Sequence, residues 1–204
     1  MKLAICTPSR GSVEAGYAKC LANLTGELSR TGVEFEVCMS LGSVVSQLRI
    51  DLATIALEKN FDWILWLDSD MHFPHNVFSR MIAHNEPIVA ASYSTRYKPQ
   101  RSVAFINKHN YDKRLEHQHG LHKVWAVGMG CMLTHRSVFE SIPEPWFNHQ
   151  WDNSSKSFLG EDIYFCNSAG EHGFSIYVDA DLSQEVGHYG TKIFLLQETR
   201  DYQI

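Results

Sequence analysis

The residues Asp62-Trp63-Ile64-Leu65-Trp66-Leu67 form a mostly apolar run that stops at Asp68-Ser69-Asp70. A run of this length and composition reads as a buried strand. Ending it in two carboxylates one residue apart places negative charge at the carboxyl edge of a sheet. That edge is where open α/β sheets bind ligands. Two close like charges disfavour each other's ionised form unless a cation offsets them. A divalent metal held by oxygen ligands, its shell completed by phosphate oxygens, is the simplest such cation. Asp70 is then the metal ligand, and Asp68 is placed to reach a ribose hydroxyl or a metal-bound water.

The flanking sequence alternates strand and helix. Strand-like residues 2–6 lead through a loop, Thr7 to Val13, into a helix over about 15–29, with Tyr17, Leu21, Leu24 and Leu28 on one face. Val33 to Met39 reads as a second strand. Ser43 is placed to cap a second helix, striped by Val45, Leu48, Leu52 and Ile55. Trp63–Leu67 is the third strand, Pro74 and Asn76 start a short helix bearing Val77, Phe78, Met81 and Ile82, and Pro87 to Ser92 is a fourth strand. This spacing predicts an α/β fold, a mostly parallel Rossmann-like sheet with helices on both faces. The second half is less regular. Ser102–Ile106 and Lys123–Val127 read as strands around a His-rich hairpin, Arg136 to Ile142 as a helix, Gly160 to about Glu171 as a helix, and Phe174–Val178 as a strand. Ser183 to Gly190 reads as loop.

Bulk properties limit the function classes. The 204 residues are 44% hydrophobic and 20% charged, which fits a folded globular chain rather than a disordered one. A net charge of −5 argues against indiscriminate nucleic-acid binding. Residues 96–124 nevertheless carry seven Lys/Arg against two acids, together with four of the eleven His. That segment is either a solvated loop face or a surface for an anionic partner. The five Cys are odd in number and lack a Cys-x-x-Cys pair, as expected of buried free thiols in a reducing compartment. No signal-like segment precedes Lys2-Leu3-Ala4-Ile5-Cys6, and no apolar run reaches the ~20 residues of a bilayer span. The expectation is a cytoplasmic protein.

Three further motifs carry chemistry. In Val127-Gly128-Met129-Gly130-Cys131, two glycines bracket Met129, so the backbone passes close to a ligand or forms a bulge. Leu133 stands where a dinucleotide fingerprint needs its third Gly. Gly160-Glu161-Asp162 opens a helix with two acids. They either cap the helix or supply a general base that takes a proton from an incoming hydroxyl. Gly187-His188-Tyr189-Gly190 offers an imidazole in a late loop, and a neutral imidazole near a divalent ion tilts the preference from Mg²⁺ towards Mn²⁺. Trp146, Phe147 and Trp151 form an aromatic cluster that serves either as a sugar-stacking platform or as core. His117-Gln118-His119-Gly120-Leu121-His122 reads as surface loop rather than a second metal site.

In this order the motifs resemble the metal-dependent glycosyltransferases of the GT-A fold, most of all their inverting, family-2-like branch. The resemblance runs from Ile5 to Lys192. It implies a single GT-A-like domain over 1–204, with a nucleotide-sugar-binding half (1–95) and an acceptor-side and catalytic half (96–204). It implies Asp70 and His188 as ligands of a divalent metal, Mn²⁺ before Mg²⁺, and Asp68, with Ser69 in the same turn, as contacts to the nucleotide sugar. Asp162 stands in the place of the catalytic base, with Glu161 beside it. Thr7-Pro8-Ser9-Arg10 resembles the turn that holds the nucleotide base, and Arg49 a basic residue that reaches the nucleotide. Gly128, Met129 and Gly130 fall on the donor side, and Lys192 is placed to reach the diphosphate. The implied activity is transfer of a sugar from a nucleoside-diphosphate donor, UDP-linked, to a hydroxyl of a soluble acceptor. An anionic polymer such as DNA or a polysaccharide, bound through 96–124, is one such acceptor. That branch usually ends its second strand in an acidic pair. Met39-Ser40-Leu41-Gly42 stands there instead, so uridine rests on the resemblance alone. Two rival readings are a nucleotidyltransferase of similar fold and a non-catalytic module that binds an anionic polymer.

Overall fold

The structure, a computed structural model, describes residues 1–108, 110–116, 118–153 and 156–190, and the backbone of 194–195. The expected alternation is present: β1 (Lys2–Ser9), α1 (Ala15–Thr31), β2 (Glu34–Leu41), α2 (Val45–Glu58) and β3 (Trp63–Leu67). A two-residue strand, β4 (Met71–His72), follows the Asp68-Ser69-Asp70 turn. Then come α3 (Val77–Ile82) and β5 (Ile88–Ala90). Ser43 does not cap α2; the cap position is Val44, which makes no side-chain cap bond.

The second half contains β6 (Ala104–Asn107), β7 (Asn110–Arg114), β8 (Leu121–Val124), β9 (Ala126–Val127), β10 (Cys131–His135) and α4 (Arg136–Ser141). It continues with β11 (Gln150–Asp152), β12 (Ser157–Leu159), α5 (Glu161–Glu171), β13 (Ile176–Asp179), α6 (Ala180–Ser183), β14 (Gly187–His188) and β15 (Phe194–Leu195). The central sheet has seven strands in the order β2-β1-β3-β10-β5-β13-β8. Five of these run one way; β10 and β8 run against them. The sheet is therefore mostly parallel, as expected, but an antiparallel strand sits at its centre.

That strand is the main departure from the sequence reading. No element was expected at Cys131–His135. The segment inserts between β3 and β5, pairing Met132 with Trp66 and Ala90. The Trp66 indole N–H donates to the Thr134 hydroxyl at 3.0 Å across this pairing. The expected strand Lys123–Val127 is likewise split: β8 edges the main sheet, and β9 pairs with β6 in a separate three-stranded sheet. Ser183–Gly190, expected as loop, holds the end of α6 and the strand β14, and the segment before α5 is a hairpin, β11–β12.

Strand alternation sends successive side chains to opposite faces, and each face has its own core. Leu3, Ile5, Leu65 and Leu67 pack with α1 and α3 residues such as Leu24 and Phe78. Ala4, Cys6, Ile64 and Trp66 pack with Leu52 of α2, Phe139 of α4 and Phe165 of α5. Trp146 and Phe147 belong to this second core, the indole N–H of Trp146 donating to the Phe139 carbonyl at 3.1 Å. Their stacking-platform reading is thereby replaced by a packing role, whereas Trp151 stays exposed. All five cysteines are free and buried. Among the described residues, no helix is long and apolar enough to cross a membrane.

Gly128 and Gly130 are required by close packing inside the protein. A Cβ on Gly130 would lie 2.7 Å from the Tyr93 phenol oxygen and 3.0 Å from the Met71 sulfur, and one on Gly128 would meet the same phenol at 2.7 Å. Tyr93 is itself buried and its hydroxyl accepts from Gly130 N–H at 3.1 Å, so it cannot swing away. Gly130→Ala is expected to lower unfolding free energy by about 1–3 kcal/mol, the usual penalty of overpacking. Gly26→Ala, on an exposed face of α1 with nothing within 4 Å of the added Cβ, should raise it by up to about 1 kcal/mol. Urea midpoints of the two variants measure both shifts, and an equal effect of the two would contradict the packing argument.

Candidate active site

The carboxyl ends of β1, β2 and β3 open into a cleft of about 510 Å³. Its walls include Pro8 and Ser9 at the end of β1, Arg10 and Ser12 after it, Gly42 and Ser43 after β2, and Asp68, Ser69 and Asp70 after β3. Arg49 of α2, Glu161 of α5 and Arg96 also face it. The first wall is shaped by a turn in which the Ser9 hydroxyl donates to the Ser12 carbonyl at 2.7 Å and accepts from Gly11 N–H at 3.2 Å. Glu14 N–H donates to the Ser69 carbonyl at 3.0 Å, which ties this turn to the acidic one.

Behind the cleft lies Arg49, only 2% exposed. One end of its guanidinium donates to Asp68 Oδ1 at 2.8 Å and to the Met129 carbonyl at 3.3 Å. Its Nε stands 3.4 Å from Glu161 Oε1, an ion-pair contact without hydrogen-bond geometry. The Trp66 ring lies beneath, its centroid 6.0 Å away. Burial works against the charge of Arg49, but Asp68 and Glu161 outweigh it and raise its pKa. Asp68 is pushed the other way for an acid: burial raises its pKa, Arg49 opposes, and Asp70 and Glu161 add to the rise.

Asp70, on the open side, pairs with Arg96 at 2.8 Å. Arg96 also donates to the Tyr189 carbonyl at 3.1 Å. His188 is brought close because β14 pairs with β4, setting His188 opposite Met71. Its Nδ1 lies 3.2 Å from the Ser94 carbonyl. A carbonyl only accepts, so Nδ1 carries the proton and the Nε2 lone pair is free. Burial, with Arg96 adding and Asp70 opposing, lowers its pKa to about 4, which keeps the ring neutral at neutral pH. A neutral imidazole whose other nitrogen donates to a carbonyl, near a carboxylate, is donor chemistry that suits a divalent cation of Mn²⁺ type. Asp70 and His188 are the two side chains here with the donor chemistry for such an ion, Asp70 being paired with Arg96 in this structure. Among the described residues no group of three or more His, Cys, Asp or Glu converges as a metal site.

Asp162 occupies the first turn of α5, half-buried behind Glu161 and outside the cleft's lining. Burial, with Glu161 adding, pushes its pKa up to about 6, against the pull of the Ile163 N–H and of Arg49. The Ile163 N–H donates to Asp162 Oδ1 at 2.8 Å.

Several expected contacts take a different form. Thr7 is still within β1 and buried, its hydroxyl bonded to Tyr17, so only Pro8, Ser9 and Arg10 of that turn face the cleft. Gly128, Met129 and Gly130 pack against Tyr93 and Val103 or are buried, which explains the paired glycines without a ligand. Arg49 is an internal tie rather than a free cation. Lys192 lies outside the described residues. The basic segment is largely engaged: Arg96 with Asp70, Arg101 with Asp112, Lys108 with Glu171, and Arg114 with the Ser102 and Tyr111 carbonyls. Arg96, Tyr93 and Glu14 were not anticipated as site residues. Arg96 could have been found, because it follows a strand that ends at the same edge of the sheet as β3.

The sequence profile of the family described as Anp1 matches residues 33–139, just over half of the chain. No curated protein matches it. Among solved structures, the chain is similar to A197 from STIV, at 19% identity and a TM-score of 0.65, covering 96% of this chain and 94% of that one. A glycosyltransferase involved in the glycosylation of the major capsid of PBCV-1 matches at 18% identity and a TM-score of 0.37, covering 71% of this chain and 68% of that one.

Arg49→Met removes the cation shared by Asp68 and Glu161. It is expected to cost about 3 kcal/mol at pH 7, since it leaves carboxylates uncompensated in a poorly solvated place. The loss should shrink at a lower pH, because Asp68, with its raised pKa, takes up a proton more readily than an ordinary carboxylate and becomes neutral. Urea titrations at the two pH values check this; an unchanged midpoint at pH 7 would contradict it.

Proposed function

The chain belongs to the Anp1 family, a mannosyltransferase-related glycosyltransferase family, and on that premise we propose that it transfers a sugar from a nucleoside-diphosphate donor to an acceptor hydroxyl with inversion. The observation that carries this reading is the cleft at the strand ends, whose acidic turn faces Arg96 and whose lining includes Glu161, the sequence neighbour of a carboxylate of raised pKa. The donor we propose is UDP-linked, its diphosphate lying towards Asp70, His188 and Arg96. Pro8, Ser9 and Arg10 border the nucleotide, and Asp68 and Ser69 meet its ribose. Asp70 and His188 would hold Mn²⁺, which when bound supplies charge stabilisation for the leaving diphosphate.

Each acid has a distinct task. Asp70 is exposed enough to exchange Arg96 for a metal and a diphosphate. Asp68 and Glu161 are held by Arg49, which fixes the donor-side turn relative to α5. Asp162 has the pKa to accept a proton. As the acceptor oxygen attacks the anomeric carbon from the face opposite the diphosphate, its proton passes to the Asp162 carboxylate. One carbon–oxygen bond forms and the bond to the phosphate oxygen breaks in the same displacement. A base with pKa near 6 is ionised at neutral pH and remains basic enough to help.

The pH profile tests the assignment. Protonated Asp162 cannot accept a proton, so kcat/KM should fall as pH drops, with an acid limb centred near pH 6. Asp162→Asn is expected to lower kcat by about 10²–10⁴, abolish that limb and leave donor affinity near the unaltered value. The raised pKa also means that the ionised acid destabilises the fold above about pH 6, so the Asn variant should unfold at higher urea at pH 7.5. That gain should vanish below the ordinary carboxylate value of 3.8, where Asp162 is protonated in both states. Unaltered turnover in Asp162→Asn would remove the base from the mechanism.

A further inference from the structure

Helix α1 carries two glycines, Gly16 and Gly26, although glycine is a poor residue for a helix. Around Gly26 the space for a side chain is empty. At Gly16 it is taken. A Cβ there would overlap Cζ and the hydroxyl of Tyr189 and stand 2.7 Å from its Cε1. The bare backbone of Gly16 is therefore a seat for the Tyr189 ring, which arrives from the far end of the described chain.

The ring is held on a second side by β4. Its hydroxyl lies 3.1 Å from His72 Nδ1, and the two rings meet edge-on with centres 5.9 Å apart. The same His72 nitrogen is 3.6 Å from the sulfur of Cys20, one turn beyond Gly16 on α1. His72 also pairs with Gly187 of β14, just before Tyr189. β4 and β14 are two residues long, a short ladder by which to hold a segment. The seated ring adds the anchorage that so short a ladder lacks.

The backbone of Tyr189 meets the strand-end cleft. Its N–H donates to the Asp70 carbonyl at 2.6 Å, and its carbonyl accepts from Arg96 at 3.1 Å. Arg96 in turn pairs with the Asp70 carboxylate, and both residues line the cleft. His188, the preceding residue, rests edge-on against Tyr93 at 4.8 Å between ring centres. Tyr189 itself is not part of the cleft wall. Its ring touches α1 and β4, while its main chain joins the two charged groups that face the donor.

We propose that Tyr189 is a positioning residue: seated on Gly16 and His72, its ring fixes the main chain that holds Asp70, Arg96 and His188 in register at the mouth of the cleft. Groups that bind a diphosphate lose much of their effect when displaced by a fraction of a bond length, so the ring acts at a distance through them. Its effect on donor binding rests on the glycosyl-transfer reading; the seat rests on packing alone. The overlapping atoms are at the tip of a side chain that can swing, so a methyl group at position 16 unseats the ring without breaking the helix.

Calorimetry on the full chain tests the role, with UDP, and with GDP as the alternative base, titrated in the presence of Mn²⁺. Hydrogen exchange at the Tyr189 amide tests the seat. Gly16→Ala and Tyr189→Ala should each raise the Kd of the nucleotide that binds about tenfold or more, and each should speed exchange of the segment around position 189. Gly26→Ala, the same substitution on the same helix with nothing to displace, should change neither. Tyr189→Phe keeps a ring on Gly16 and should retain most of the affinity, a rescue that general loosening of the fold would not give. Unchanged affinity in Gly16→Ala and Tyr189→Ala, despite faster exchange, would overturn the positioning role. Unchanged exchange in Gly16→Ala would overturn the seat and the role together. If the unaltered protein binds neither nucleotide while Gly16→Ala still exchanges faster, the seat is upheld and the positioning role falls with the transfer reading.

Discussion

The buried guanidinium of Arg49 is the contact on which the rest of the site depends. Burying a cation is costly, and it persists because two carboxylates, a carbonyl and an aromatic face surround it. Those partners come from the end of β3, the start of α5, the turn before β10 and β3 itself. One side chain on α2 thereby ties the acidic turn that faces the strand-end cleft to the helix that carries Asp162. Hydrophobic packing on both sheet faces holds the layers together, but it does not by itself set the position of a charged turn to within the precision that chemistry needs.

Around this tie, carboxylates of the same type acquire different properties from their surroundings. Asp70 faces the open cleft and a half-exposed cation, Arg96. Asp68 is half-buried against Arg49. Asp162 sits in the first turn of α5, where burial outweighs the help of a backbone N–H and raises its pKa to about 6. Environments that push titratable groups apart divide their roles.

Much of this was legible in the sequence because periodic signals are strong where elements are long. The residues 15–29 stripe, the α2 stripe and the Trp63–Leu67 run each place a core face, and the first half of the sheet follows from them. The Asp68-Ser69-Asp70 turn was legible because charge ending an apolar strand is unusual. Cys131–His135 was not legible as a central strand. It is short, it follows two glycines, and its antiparallel insertion between β3 and β5 is a tertiary choice that no local pattern encodes. The glycines misled for the same reason: their close neighbour is Tyr93, 37 residues away. The pairing of Asp70 with Arg96 and of Arg49 with Glu161 depends on which strand ends meet, so the sequence showed the charges without their partners.

The central claim is that the cleft binds a nucleotide sugar through a metal at Asp70. Thermal unfolding with a panel of nucleotide sugars, each with and without Mn²⁺, tests it most directly, because a ligand of the folded state raises the melting temperature. The account expects a shift of several degrees, about 2–4 °C for each kcal/mol of binding, only when a UDP-linked sugar and Mn²⁺ are both present, and expects it to disappear in Asp70→Ala. No shift with any nucleotide sugar, or an equal shift in Asp70→Ala, would contradict it.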